Sequence, residues 1–282
     1  MNRHRLGLSL LLLLATGACK GDAPPAAAPD TPATTQAAAP PPQETKLVVF
    51  AGASLREVFT ALGEGFKMSH NAPELTFNFA GTQELRTQLE QGAAVDVFAS
   101  ADQKHMAELV RAKRVLEPVT FARNEPVIVV AKEQIGKLKE FADLPKAARI
   151  AIGTPEVPIG RYTLQVLDNA LPKLGADFRK KVEAKVVSRE LNVKQVLAKV
   201  SLGEADAGIV YRTDALTAKD QVGVVPIPED LNVIAEYPIA AVADAAHPNL
   251  ANEWLKLVLS DTGRDALQRA GFTLPSSGSP AP

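Results

Sequence analysis

The chain is short of cysteine, of aromatic residues and of net charge, and each shortage closes off a class of protein. Cys19 is the only cysteine among 282 residues, so no disulfide framework exists and the fold must stand on its apolar core. Aromatics make up 5%, with one Trp and three Tyr, too thin a supply for stacking sugars or single-stranded nucleic acid. A formal net charge of −1 provides no basic field for a polyanion or a membrane surface. Catalytic signatures are missing as well: there is no Gly-x-Ser-x-Gly elbow, no P-loop and no Gly-x-Gly-x-x-Gly. His70, His105 and His247 stand at no metal-ligand spacing, and Glu57, Asp96 and Asp102 read as helix caps or solvated charges. An enzyme is not expected, and no cofactor is implied.

What is present begins with a targeting pattern. Arg3, His4 and Arg5 precede the apolar run Leu6–Ala15, too short to span a bilayer but suited to a secretory signal. Thr16-Gly17-Ala18-Cys19 follows, a pattern that resembles a bacterial lipoprotein signal, with 1–18 removed and Cys19 lipidated; plain secretion is the other reading. Residues 19–45 are mostly Ala, Pro, Thr and Gln, and they cannot bury enough apolar surface to offset their ordering entropy. They are expected to form a disordered tether, with a second disordered tail at 276–282. No transmembrane helix or internal repeat is found in the remainder.

From Lys46 to about Pro275, strand-like and helix-like patterns alternate, which predicts α/β architecture with parallel sheets. Leu47–Phe50 is a β-branched apolar run, read as a strand buried on both faces. Ser54 stands three residues before Glu57 at the head of the periodic positions Leu55, Val58, Phe59 and Leu62, a capping-box pattern. Further strands are expected at 75–80, 95–99, 126–131, 149–152, 185–187, 207–211 and 238–242. Helices are expected after Thr82, Asp102, Gly160 and Asn192, and at 249–260 and 263–270. Trp254 reads as core. The strand-to-helix junctions carry small or polar residues, and in an open α/β sheet such mouths collect where ligands bind, with helix-start amides suited to an anion. No basic cluster accompanies them, and Arg161 reads as an exposed helix-start residue.

Several segments together resemble one family. VFAGASL (49–55), FAGTQEL (79–85), DVFASADQKHM (96–106), PEVPIGRY (155–162), GIVYRTDA (208–215) and EYPIAAV (236–242) are similar, in order, to the periplasmic molybdate-binding proteins of ABC importers. The resemblance implies a type II two-lobed periplasmic binding fold, each lobe a mixed, mostly parallel sheet flanked by helices. Lobe I would comprise 46–125 and 237–275, and lobe II 126–236, with hinge crossings near Glu125–Pro126 and Glu236–Tyr237. It further implies molybdate, and tungstate with it, held as the oxyanion by Ser54, Thr82, Ile159, Val193 and Tyr211, with molybdenum contacted in no other way. Capture in an interlobe cleft and delivery to an ABC permease would follow, for a monomer in the periplasm or cell envelope that meets the membrane only through its lipid.

Taken singly, these residues have plainer readings. Ser54 and Thr82 read equally as helix caps, Val193 as core and Tyr211 as a packing residue, while Ile159 carries no signal of its own. Tyr162, Tyr211 and Tyr237 are far apart in sequence, which argues against an iron(III) site built from neighbouring tyrosines. Another tetrahedral oxyanion such as sulfate, an enzyme acting on an oxyanion ester, and a sensor with the same architecture are the alternatives.

Overall fold

Two five-stranded sheets, each with helices on both faces, carry the whole body. The structure, a computed structural model, describes residues 45–70 and 73–275. The signal sequence, Cys19, the tether up to residue 44 and the tail at 276–282 lie outside the described residues.

The first sheet contains β1 (Lys46–Gly52), β2 (Glu74–Ala80), β3 (Val97–Ala99), β4 (Val119–Asn124) and β10 (Ala235–Ala241), in the order β2-β1-β3-β10-β4. β1 pairs parallel with β2 and β3, and β10 runs antiparallel to both of its neighbours. The second sheet contains β5 (Pro126–Ala131), β6 (Ile150–Gly153), β7 (Val186–Glu190), β8 (Ala207–Tyr211) and β9 (Val222–Val225), in the order β7-β6-β8-β5-β9. Here β5 is the reversed strand. Each sheet is therefore parallel but for the first strand laid down after the chain crosses from the other sheet. The chain thus passes between the two sheets twice, from β4 to β5 and from β9 to β10.

The first crossing falls between Asn124 of β4 and Pro126 of β5. The second precedes Ala235, which already pairs with Asn124, two residues ahead of the Glu236–Tyr237 junction expected from the sequence. The segment at 226–234 carries Pro226 and Pro228, which keep it out of either sheet.

β1 has one face, Leu47, Val49 and Ala51, fully buried against α1 (Arg56–Ser69) and α9 (Pro248–Leu259). Its other face, with Phe50, joins Leu85, Phe98 and Met106 under α2 (Thr82–Glu90) and α3 (Gln103–Arg111). Trp254 is fully buried, with the rings of Phe59, Phe66 and Phe77 each 5.4 Å away. The second sheet is covered by α4 (Pro158–Asn169), α5 (Leu171–Leu174), α6 (Phe178–Glu183), α7 (Val193–Ser201) and α8 (Arg212–Thr217); α10 (Asp261–Arg269) completes the first lobe. Among the described residues, no helix is long and apolar enough to cross a membrane.

Candidate functional site

The carboxyl ends of six parallel strands point at one place. β1, β2 and β3 of the first sheet end at Gly52, Ala80 and Ala99; β6, β7 and β8 of the second end at Gly153, Glu190 and Tyr211. Between them lies a small cavity of about 10 Å³, lined by Ser54, Thr82, Ala101, Ile159, Val193 and Tyr211 among others. That is about the room one water molecule needs, so the cavity suits a ligand of a few atoms. All five residues singled out from the sequence line it, three from one lobe's helix starts and strand ends and two from the other's.

The local structure explains how each donor is presented. Ser54 does not close a capping box: a 3₁₀ turn, Ala53–Leu55, intervenes, and α1 begins at Arg56 without a side-chain cap. The Ser54 hydroxyl, 4% exposed, instead meets the Tyr237 hydroxyl at 2.9 Å. Thr82 is the first residue of its helix rather than its cap, which is Gly81. Its Oγ1 accepts from the Ala101 amide at 3.1 Å, which leaves its own proton free to donate. Ile159 follows Pro158 in the first turn of α4, again without a side-chain cap, and Val193 opens α7. First-turn amides have no intrahelical acceptor. Asn192 caps α7 as expected, but its Oδ1 takes the Gln195 amide, two residues beyond Val193. By contrast, Asp102 and Ser260 cap helices that do not open on the cavity.

Tyr211 ends β8, is 1% exposed, and its hydroxyl is buried without a hydrogen-bond partner. A buried hydroxyl left unpaired costs about 1–3 kcal/mol, so its position on the wall of a small cavity points to an acceptor that arrives from outside. The three tyrosines are not dispersed. Tyr162, Tyr211 and Tyr237 form a file behind the cavity, with ring centroids 6.4 and 5.8 Å apart and edge-to-face tilts. Sequence separation hid this because each comes from a different strand or helix. Burial pushes the Tyr162 phenol up to about 12 and those of Tyr211 and Tyr237 well above their ordinary value. Each therefore keeps its O–H, which can donate a hydrogen bond. Among the described residues, no group of three or more His, Cys, Asp or Glu is placed to hold a metal ion.

No Lys or Arg lines the cavity. Arg161 is not the exposed residue expected from its helix-start position: its guanidinium donates to Asp102 of the other lobe at 3.0 Å and lies over the Tyr162 ring at 4.4 Å. Lys194, next to Val193, reaches Glu57 across the cleft at 2.7 Å and Asp214 in its own lobe at 3.0 Å. The buried carboxylates of Asp102 and Asp214 are thus each matched by a cation. His105 Nε2 also meets the Glu156 carbonyl across the cleft at 3.0 Å. None of these clamps was visible in sequence, because each pairs residues on opposite lobes.

Comparison with known proteins agrees with this geometry. Residues 47–273 match the family model for bacterial extracellular solute-binding proteins. A molybdate-binding protein of Mycobacterium tuberculosis is 39% identical over 231 residues, 81% of this chain and 85% of that one. A molybdate-binding protein of Escherichia coli is 33% identical over 241 residues, 82% of this chain and 90% of that one. The periplasmic molybdate-binding protein of Azotobacter vinelandii superposes with a TM-score of 0.69 at 19% identity, covering 82% of this chain and all of that one.

Proposed function

The chain belongs to the bacterial extracellular solute-binding protein family, in the branch that includes the molybdate-binding proteins, and from that premise we propose that it captures molybdate, and tungstate with it, in the interlobe cavity for delivery to an ABC importer. Ser54 and Thr82 donate hydroxyl hydrogens, Ile159 and Val193 donate helix-start amides, and Tyr211 donates its phenolic hydrogen. The observation that carries this reading is the Tyr211 hydroxyl, buried and unpartnered on the wall of a cavity that also carries two other hydroxyls and no charged side chain. Hydrogen bonds to an ionised acceptor contribute about 1.5–3 kcal/mol each, so a handful suffices without a cation in the site. A fully deprotonated oxyanion accepts from every side, whereas protonated phosphate carries a hydrogen that needs an acceptor.

Capture proceeds by hinge closure. The ion touches both lobes only when they meet, and this differential affinity for the closed state is what shifts the population. The protein works outside the cytoplasmic membrane, as a monomer, held through lipid on Cys19; release of a Cys19→Ala protein from the membrane fraction checks the anchor.

Titration calorimetry with molybdate, tungstate, sulfate and phosphate decides the ligand. Molybdate and tungstate should bind tightly, sulfate more weakly and phosphate not measurably. Ser54→Ala should weaken molybdate binding by about 1–3 kcal/mol. Sulfate binding tighter than molybdate would reassign the protein to that anion, and unchanged affinity in Ser54→Ala would remove Ser54 from the site.

A further inference from the structure

One ammonium joins the segments that carry three of the five donors. Lys194 follows Val193 in the first turn of α7. Its Nζ lies 2.7 Å from Glu57 Oε1, across the cleft, and 3.0 Å from Asp214 Oδ1, in its own lobe. Glu57 stands three residues after Ser54, in the first turn of α1, and Asp214 three residues after Tyr211, in the first turn of α8. α7 packs on the 3₁₀ turn that holds Ser54. Lys194 itself does not line the cavity.

The three side chains belong to the lobes unequally, and that decides what each does. Lys194 and Asp214 sit on α7 and α8, packed against one another in the second lobe, so their pair does not depend on closure. The Asp214 side chain is fully buried and that of Lys194 only 21% exposed. Glu57 comes from the first lobe and is about half exposed, so its bond to the ammonium forms only when the lobes meet. Exposed ion pairs are weak largely because two long side chains must be held in one geometry. Here Asp214 already aims the ammonium, and only Glu57 has to be ordered.

Charge rules out the simpler role of attracting the ion. With Asp214 ionised, as it is at pH 8, two carboxylates surround one ammonium and the cluster repels a dianion on balance. What the cluster can contribute is closure.

We propose that Lys194 is a positioning residue for anion capture: anchored by Asp214, its ammonium grips Glu57 as the lobes close and locks the segment of Val193 against that of Ser54 around the ion. The inference rests on the molybdate reading given above and adds a latch to it.

Titration calorimetry with molybdate at pH 8 tests this on the full-length wild type, Glu57→Gln, Lys194→Met and the double variant. Glu57→Gln keeps the shape of the side chain and removes one negative charge near the site. Loss of a latch should weaken binding roughly two- to fivefold, whereas a cluster acting on the ion through its field alone predicts tighter binding. In the Lys194→Met background Glu57→Gln should weaken binding no further. Stopped-flow fluorescence should place the loss in faster dissociation of molybdate, because a grip formed after entry leaves association unchanged. Unchanged or tighter binding in Glu57→Gln, an equal loss in both backgrounds, or a loss carried by slower association overturns the latch and leaves the molybdate reading standing. Wild type silent to molybdate would sink that reading, and the latch with it. Should Lys194→Met not fold, Glu57→Gln decides alone, through the sign of its effect and the rate in which it appears.

Discussion

Gly81 of the first lobe lies against the Leu191 carbonyl oxygen of the second so closely that a Cβ at Gly81 would overlap it. Gln83 Nε2 donates to that same oxygen at 2.9 Å. Gly81 has φ −63° and ψ 137°, a conformation open to any residue, so it is glycine for the sake of the neighbouring lobe and not of its own backbone.

An added Cβ would also meet the Gln83 side-chain amide of its own lobe, but that flexible end is held by the Leu191 carbonyl only when the lobes meet, so Gly81→Ala should chiefly penalise closure. Overpacking of this kind costs about 1–3 kcal/mol, which should appear as weaker molybdate binding by calorimetry. The melting temperature of the ligand-free protein should stay close to that of wild type. Small-angle scattering should show less compaction on adding molybdate. A variant that binds and compacts like wild type would show that Leu191 gives way freely.

Tyr211→Phe should move two measurements in opposite directions. Removing a buried, unpartnered hydroxyl relieves a desolvation penalty, so the ligand-free protein should melt at the same temperature or higher. The lost donor should weaken molybdate binding by about 1–3 kcal/mol. Lower ligand-free stability would mean the hydroxyl has a partner within the protein, and the case for an external acceptor would fall.

Legibility in the sequence followed burial. β5 (PVIVVA) and β8 (AGIVY), apolar throughout and central in their sheet, stand at 126–131 and 207–211 as expected. β4 and β9 were not foreseen, and both are edge strands: Val119 and Val224 are exposed, Arg123 and Asn124 interrupt β4, and Gly223 interrupts β9. Helix α8 has six residues, too few for a 3.6-residue period to declare itself. At the site, the pattern found Ser54 but gave it the wrong partner, because Ser-x-x-Glu describes a capping box and cannot report the 3₁₀ turn that aims the hydroxyl at Tyr237. Arg161, Lys194 and Tyr237 went unrecognised for one reason: their partners are 59, 137 and 183 residues away, and no local period encodes such distances.

The stability of the ligand-free protein should carry a pH signature from Asp214. Burial pushes its carboxyl up to about 6, against the opposing pull of the Lys194 ammonium. An aspartate in the unfolded chain titrates near 3.9. Between those values the folded state holds a proton that the unfolded state has released, so this group's contribution to stability is full below about pH 4 and declines as pH rises through about 6. Asparagine cannot titrate. Relative to Asp214→Asn, wild type should therefore lose up to about 3 kcal/mol between pH 4 and 7. Urea melts of both proteins across that range check the sign. A constant difference would show that Asp214 stays ionised throughout.

The last expectation concerns a cation that never reaches the ion. Arg161 sits two residues after Ile159 and joins α4 to the fully buried Asp102 of the other lobe. In the closed state Arg161→Ala would strand that carboxylate, still receiving the His105 amide at 3.0 Å but without its counter-charge. When the lobes part, water reaches Asp102 and the penalty lapses, so the substitution should favour the open form. Arg161 is about one-third exposed, so solvent screening reduces the effect to about 1 kcal/mol. Molybdate binding should weaken roughly fivefold, and the deficit should survive in moderate salt, because ions do not enter the buried half of the pair. If added salt erases the difference between wild type and Arg161→Ala, Arg161 acts by long-range attraction of the anion and not by closing the cleft.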